Sequence, residues 1–131
     1  MSDGKRISPA DLAALRAALL RSRQELLGAV SRDIHDQIDR DSQALPDVHE
    51  QSADTVTAME ERDLARSLGE HHSAALGEVH AALQRMDEDR YGVCEQCGAP
   101  IPAARLKASP TATRCVSCQG QAERGIRIPG L

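Results

Sequence analysis

The sequence predicts a mostly α-helical protein: a long antiparallel helical hairpin of coiled-coil type, then a small four-cysteine module with a short C-terminal helix. Three observations predict it. The stretch 10–90 holds a single proline, Pro46, and apolar residues recur at three-to-four spacing on both sides of it. Alanine is abundant, with 20 residues, while Trp and Phe are absent and Tyr91 is the only aromatic of its kind. Such a composition suits long helices packed along a narrow seam. From Tyr91 onward the texture changes to Gly, Pro and Cys.

The first helix is expected over about 9–42. Ser8 can cap its free N–H groups, Pro9 fits the first helical position, and Asp11 favours the positive helix end. Leu12, Leu15, Leu19, Leu26, Val30, Ile34 and Ile38 form its apolar series. The second helix is expected over about 52–90. Its apolar series is Val56, Met59, Leu64, Leu68, Ala75, Leu76, Val79, Leu83 and Met86. Gly69 and Gly77 soften its middle by roughly 1 kcal/mol each relative to alanine. Pro46 and its polar surroundings break any continuous heptad register, which favours a hairpin over a parallel homodimeric coiled coil. Together 1–90 make the helical hairpin, 91–124 the cysteine module with its helix, and 125–131 a short tail.

Composition also limits function. Leu, Ile, Val and Phe amount to 25 of 131 residues, too few for the large core of an enzyme of this length. No nucleophile–base pairing and no phosphate-binding glycine loop is present, so no enzyme is expected. Residues 1–90 carry 11 Lys/Arg against 18 Asp/Glu, and 91–131 carry 5 against 2. An acidic body is a poor partner for a phosphate backbone, and the scarcity of aromatics counts against a base-stacking platform. A basic site on another protein is the better expectation. The polar N-terminus and the lack of a long apolar run point to a cytoplasmic protein without membrane attachment.

In that compartment cysteines more often bind metal than form disulfides. Cys94-Glu95-Gln96-Cys97 and Cys115-Val116-Ser117-Cys118 stand 17 residues apart, a spacing that signals structural zinc. Four sulfurs fill a tetrahedral Zn²⁺ and leave no place for water or substrate. Gly98 can take the positive φ that the first knuckle needs. The alternatives are two disulfides or a thioredoxin-like redox pair, and the missing βαβ pattern argues against the latter. His35, His49, His71, His72 and His80 are scattered and form no ligand set.

From Asp33 to Asp54, toward and across the acidic tip expected at about 41–54, seven acids stand against one base, Arg40. Their mutual repulsion suits either a solvated turn or a cationic destination.

Asp87-Glu88-Asp89-Arg90-Tyr91-Gly92-Val93-Cys94-Glu95-Gln96-Cys97-Gly98, Ile101-Pro102, Arg105-Leu106, Pro110-Thr111 and Cys115-Val116-Ser117-Cys118-Gln119 resemble the DksA/TraR family of bacterial zinc-finger transcription factors. The resemblance implies RNA polymerase as partner, a hairpin inserted into its secondary channel, and no sequence-specific DNA binding. A monomer is expected. The family's tip motif is Asp-x-x-Asp-x-Ala, and the equivalent positions here are Gln51, Asp54 and Val56. Only Asp54 is kept; Asp47 or Glu50 could replace the missing first acid. In relatives that respond to guanosine tetraphosphate, cations stand where this chain has His71, Glu78, Ser109 and Gln119. The resemblance therefore implies that this chain does not bind the alarmone. The alternative reading is a zinc-ribbon and coiled-coil adaptor for an unrelated protein.

Overall fold

The computed structural model describes residues 7–42 and 53–127, with side chains from 56 in the second helix and up to 124 in the last. Four helices follow one another: α1 Pro9–Ser42, α2 Ala53–Asp87, α3 Ala103–Ala108 and α4 Val116–Arg127. Among the described residues the only β-type pairing is an isolated antiparallel bridge between Val93 and Pro100. The protein is thus mostly helical, with a four-cysteine module and a short final helix.

Helix α1 starts as its sequence dictates. Ser8 Oγ accepts a hydrogen bond from the Asp11 N–H at 3.1 Å, and Pro9 occupies the first turn, where no N–H is needed. Helix α2 stops at Asp87, short of the expected Arg90, because a Schellman turn closes it. The Arg90 N–H reaches the Arg85 carbonyl at 2.8 Å and the Asp89 N–H reaches Met86 at 3.2 Å. Asp89 takes the left-handed conformation, φ 58°, that such a turn requires.

Helix α3 was not expected from sequence. Pro102 precedes it, Arg105 and Leu106 N–H groups bond to the Pro102 carbonyl, and it ends at Ser109, whose extended backbone suits a residue before Pro110. Helix α4 runs to Arg127, three residues into the stretch expected as tail, and stops two residues before Pro129.

The chain divides into two compact units, Met1–Arg21 with Glu78–Leu131, and Ser22–Gly77. In the first, the Arg16–Asp87 ion pair at 3.3 Å joins the start of α1 to the end of α2. Every described buried residue lies in this unit, including Leu15, Leu19, Val79, Ala82, Leu83, Met86, Tyr91, Ile101 and Leu106. Lys107 on α3 meets Asp11 on α1 at 3.3 Å. Both pairs are exposed, so each contributes at most about 1 kcal/mol.

In the second unit α1 and α2 meet where His72 Nδ1 lies 2.8 Å from Asp33 Oδ2. Here the seam departs from the expected apolar series. The inward positions, spaced three and four apart, are Ser22, Leu26, Ala29 and Asp33 on α1, and Ala58, Arg62, Ala65, Gly69, His72 and Leu76 on α2. They are half-buried, and no described residue of this unit is buried. Ile34, Ile38, Val56, Met59, Leu64 and Leu68, expected in the seam, are exposed. The heptad phase fixed by the packed end of the helices carries small and polar residues inward and turns these apolar ones outward.

Candidate metal centre

The module begins where the Schellman turn releases the chain. Gly92 adopts φ 81°, and a Cβ built there would sit 3.5 Å from Leu106 Cδ1, ordinary contact but in a conformation side chains avoid. A short loop then folds on itself: the Cys94 N–H bonds to Ala99 O at 2.8 Å and the Ile101 N–H to Gly92 O at 2.8 Å. Gly98, at φ 77°, makes the turn the sequence anticipated, its N–H meeting Cys94 O at 2.9 Å. The Glu95 N–H reaches Thr113 O at 2.8 Å and so fastens the first cysteine pair to the segment carrying the second. Cys115 precedes α4 and Cys118 lies in its first turn, where the Gln119 N–H bonds to Cys115 O at 2.9 Å.

The four sulfurs of Cys94, Cys97, Cys115 and Cys118 all lie within 4.8 Å of one another. Cys97 Sγ and Cys115 Sγ are 3.8 Å apart, and all four cysteines are unbridged. A tetrahedral zinc with Zn–S bonds of about 2.3 Å sets its sulfurs about 3.8 Å apart, so the site fits the ion. Cys94 and Cys118 are buried, whereas Cys97 is exposed.

The electrostatics agree. Burial pushes the Cys94 thiol up, but hydrogen bonds from the backbone of Cys115, Cys97 and Gln96 and from the Cys97 side chain outweigh it and bring it to about 6. Cys118 is pushed up to about 12 by its hydrogen bond to Cys115, by burial, and by its bonds to Cys94 and Cys97. The cluster thus holds one thiolate readily and resists the next. A divalent cation removes that conflict. The centre carries one structural Zn²⁺; its four sulfur ligands make it a staple and leave no position for chemistry.

Supporting contacts come from residues to which the sequence assigned no role. Tyr91 Oη donates to Pro110 O at 2.7 Å, Arg85 to Thr111 O at 3.4 Å, and Arg105 Nε to Arg114 O at 3.0 Å. These bonds hold the loop between α3 and the second cysteine pair. The dipeptides Arg90-Tyr91 and Arg105-Leu106 were visible in the sequence, but nothing local told which carbonyl each side chain would find.

Of the expected tip residues, Asp47, Glu50 and Gln51 lie outside the described residues. Asp54 stands in the first turn of α2, with its side chain outside the description, and Val56 is exposed. Of the alarmone-related positions, Glu78, Ser109 and Gln119 line one cleft of about 430 Å³ in the first unit, together with Arg105 and Glu123. His71 is not among the residues lining it.

Comparison with known proteins fits this geometry. Residues 89–124 match the prokaryotic dksA/traR C4-type zinc finger. Beyond the finger, the RNA polymerase-binding transcription factor DksA of Caulobacter vibrioides is 31% identical over 117 residues, covering 89% of this chain and 74% of that protein. The chain belongs to the DksA/TraR family. DksA of Haemophilus influenzae is 35% identical over 71 residues, covering 54% of this chain and 49% of that protein. The structure of the transcription factor DksA2 from Pseudomonas aeruginosa superposes with a TM-score of 0.76 at 29% identity, covering 92% of this chain and 89% of that one. These DksA/TraR relatives are named as transcription factors, not as enzymes. No described helix of this member is long and apolar enough to cross a membrane.

Proposed function

We propose that this chain is a regulator that binds RNA polymerase, inserts its helical hairpin into the secondary channel and modulates initiation. The observation that carries the reading is the likeness to an RNA polymerase-binding transcription factor over 89% of the chain, long helices included. A likeness confined to the finger would carry a shared zinc module and nothing more. The zinc-stapled module fixes the exit of α2, and the acidic segment between α1 and α2 is the part that reaches the partner. Asp54 is the proposed contact, with Asp47, Glu50, Gln51 and Val56 around it. A carboxylate meeting a basic loop or a bound Mg²⁺ there makes a charge-assisted contact worth about 1–3 kcal/mol. The protein acts as a monomer on polymerase, in the cytoplasm, without reading DNA sequence.

The test is transcription in vitro with purified cognate polymerase, comparing wild type with Asp54→Asn. Loss of the effect with binding retained supports the reading. An unchanged effect at saturating protein, with a lowered melting temperature, assigns Asp54 to helix stability alone. Failure of the wild type to bind polymerase at all favours the adaptor reading.

A further inference from the structure

Two charged residues stand beside the metal ligands, one on each knuckle. Glu95 follows Cys94 directly, and Arg114 comes directly before Cys115. Arg114 Nε lies 3.7 Å from Glu95 Oε1, an ion pair that ties the first cysteine pair to the second. Backbone bonds fix both partners. The Glu95 N–H meets Thr113 O at 2.8 Å, and Arg114 O accepts from Arg105 Nε at 3.0 Å. Arg114 Nε is buried, yet it makes no hydrogen bond among the described residues. A buried donor without a partner is unfavourable, so a further interaction has to hold the guanidinium there. Glu95 serves a second cation as well. Burial pulls the Arg85 guanidinium down, and the Glu95 carboxylate is the first group to oppose that shift.

We propose that Arg114 is the counter-charge of the zinc centre and that Glu95 positions it, so that this pair helps set how tightly the metal is held. Zn²⁺ bound by four thiolates is a net anion. A guanidinium one residue from a ligand offsets part of that charge, which answers why an unpartnered nitrogen is buried at this place. The same ion pair draws the two knuckles together, so less ordering is left for the metal to impose. The roles of the two residues are unequal. Arg114 attracts the centre, whereas the carboxylate of Glu95 repels it and helps only through the guanidinium it orients. Removing Arg114 should therefore cost more than removing Glu95. The side chains of Arg114 and Glu95 are 34% and 55% exposed, so their mutual attraction is worth only a few-fold in affinity. The proposal concerns metal retention and stands apart from the polymerase reading.

Zinc affinity of the full chain, measured by competition with a chelating dye under reducing conditions, tests this. Arg114→Gln should weaken binding about tenfold, at the lower end of what groups behind the ligands contribute. Glu95→Gln should weaken it about threefold in the wild-type background and not at all beside Arg114→Gln, because its effect passes through the guanidinium. Arg114→Lys keeps the charge and should stay within about threefold of wild type. An Arg114→Gln affinity within about twofold of wild type overturns the proposal. So does a Glu95→Gln effect of equal size in both backgrounds, which would make the two residues independent. If Arg114→Gln binds no zinc at all, Arg114→Lys decides. Near-wild-type affinity in the lysine variant then supports the counter-charge, and loss of binding there assigns Arg114 to folding of the knuckle and overturns it.

Discussion

Tyr91, just past α2, donates its phenolic hydrogen to the carbonyl of Pro110, 19 residues later, at 2.7 Å. The bond closes the finger over its own loop and places a buried aromatic ring at the module's root. Burial pushes the Tyr91 phenol up to about 12, partly offset by the nearby Arg85 guanidinium. A raised folded value means the fold favours the neutral phenol. Its contribution is therefore complete below the unfolded value near pH 10 and lost as the pH rises toward 12. Tyr91 is the chain's only tyrosine and there is no tryptophan, so phenolate absorbance reports this one group. A spectrophotometric titration should place its midpoint near pH 12 in the native protein and near pH 10 in urea. Tyr91→Phe should cost about 1 kcal/mol and abolish that stretch of pH dependence.

Removing zinc should unfold the finger and spare most of the helix content. A module of this size buries too little to fold without metal, whereas α1 and α2 owe nothing to the ion for their backbone hydrogen bonds. Cys97→Ser leaves three sulfurs and should bring metal content well below the one zinc per chain expected of wild type. In the stripped protein the Tyr91 titration should fall back toward pH 10, while far-ultraviolet dichroism keeps most of its helical signal. Metal analysis finding no zinc in protein purified under reducing, chelator-free conditions would contradict the assignment.

Helix α2 carries two glycines that the fold does not require. A Cβ at Gly77 meets nothing within 4 Å, and one at Gly69 meets Asp33 Cβ at 3.7 Å, an ordinary contact. Gly77→Ala should stabilise by up to about 1 kcal/mol through helix propensity, or roughly 4 °C in melting temperature. Gly69→Ala should gain a similar amount. Gly98→Ala should do the reverse, because its φ of 77° is one that a Cβ resists, and metal affinity should fall with it. Thermal melts of the three variants separate the helix effect from the knuckle effect.

The parts legible in sequence were those fixed by local chemistry. Ser8 and Pro9 start a helix wherever they precede helix formers, and two Cys-x-x-Cys pairs with a following Gly98 declare their geometry through spacing. The apolar seam of the second unit was not legible. Its phase is set where Leu15, Leu19, Val79 and Leu83 pack, and propagating that phase leads to Asp33, Gly69 and His72, which no hydrophobic count would choose. Helix α3 was hidden for another reason: Ala103–Ala108 is too short, between Pro102 and Pro110, to show a helical period. Asp89 ended α2 early because a left-handed aspartate carries no signal that distinguishes it from its helical neighbours.

The cleft that gathers Glu78, Ser109 and Gln119 should exclude guanosine tetraphosphate. Its lining offers a single guanidinium, Arg105, whose Nε is already committed to Arg114 O at 3.0 Å. Against it stand two carboxylates, Glu78 and Glu123. A highly anionic ligand entering here would meet repulsion from both acids and gain few charge-assisted hydrogen bonds. Any transcriptional effect of the protein should therefore be indifferent to the alarmone, measured with polymerase whose other alarmone site is disabled. Glu78→Lys combined with Gln119→Lys reverses the local charge and should introduce a saturable response where wild type has none. Both changes fall on the lining of the cleft and not on the zinc ligands, so zinc content serves as the control for folding. A saturable response from the wild-type protein would show that the cleft gains its cations from the polymerase side, and the charge argument drawn from this chain alone would fail.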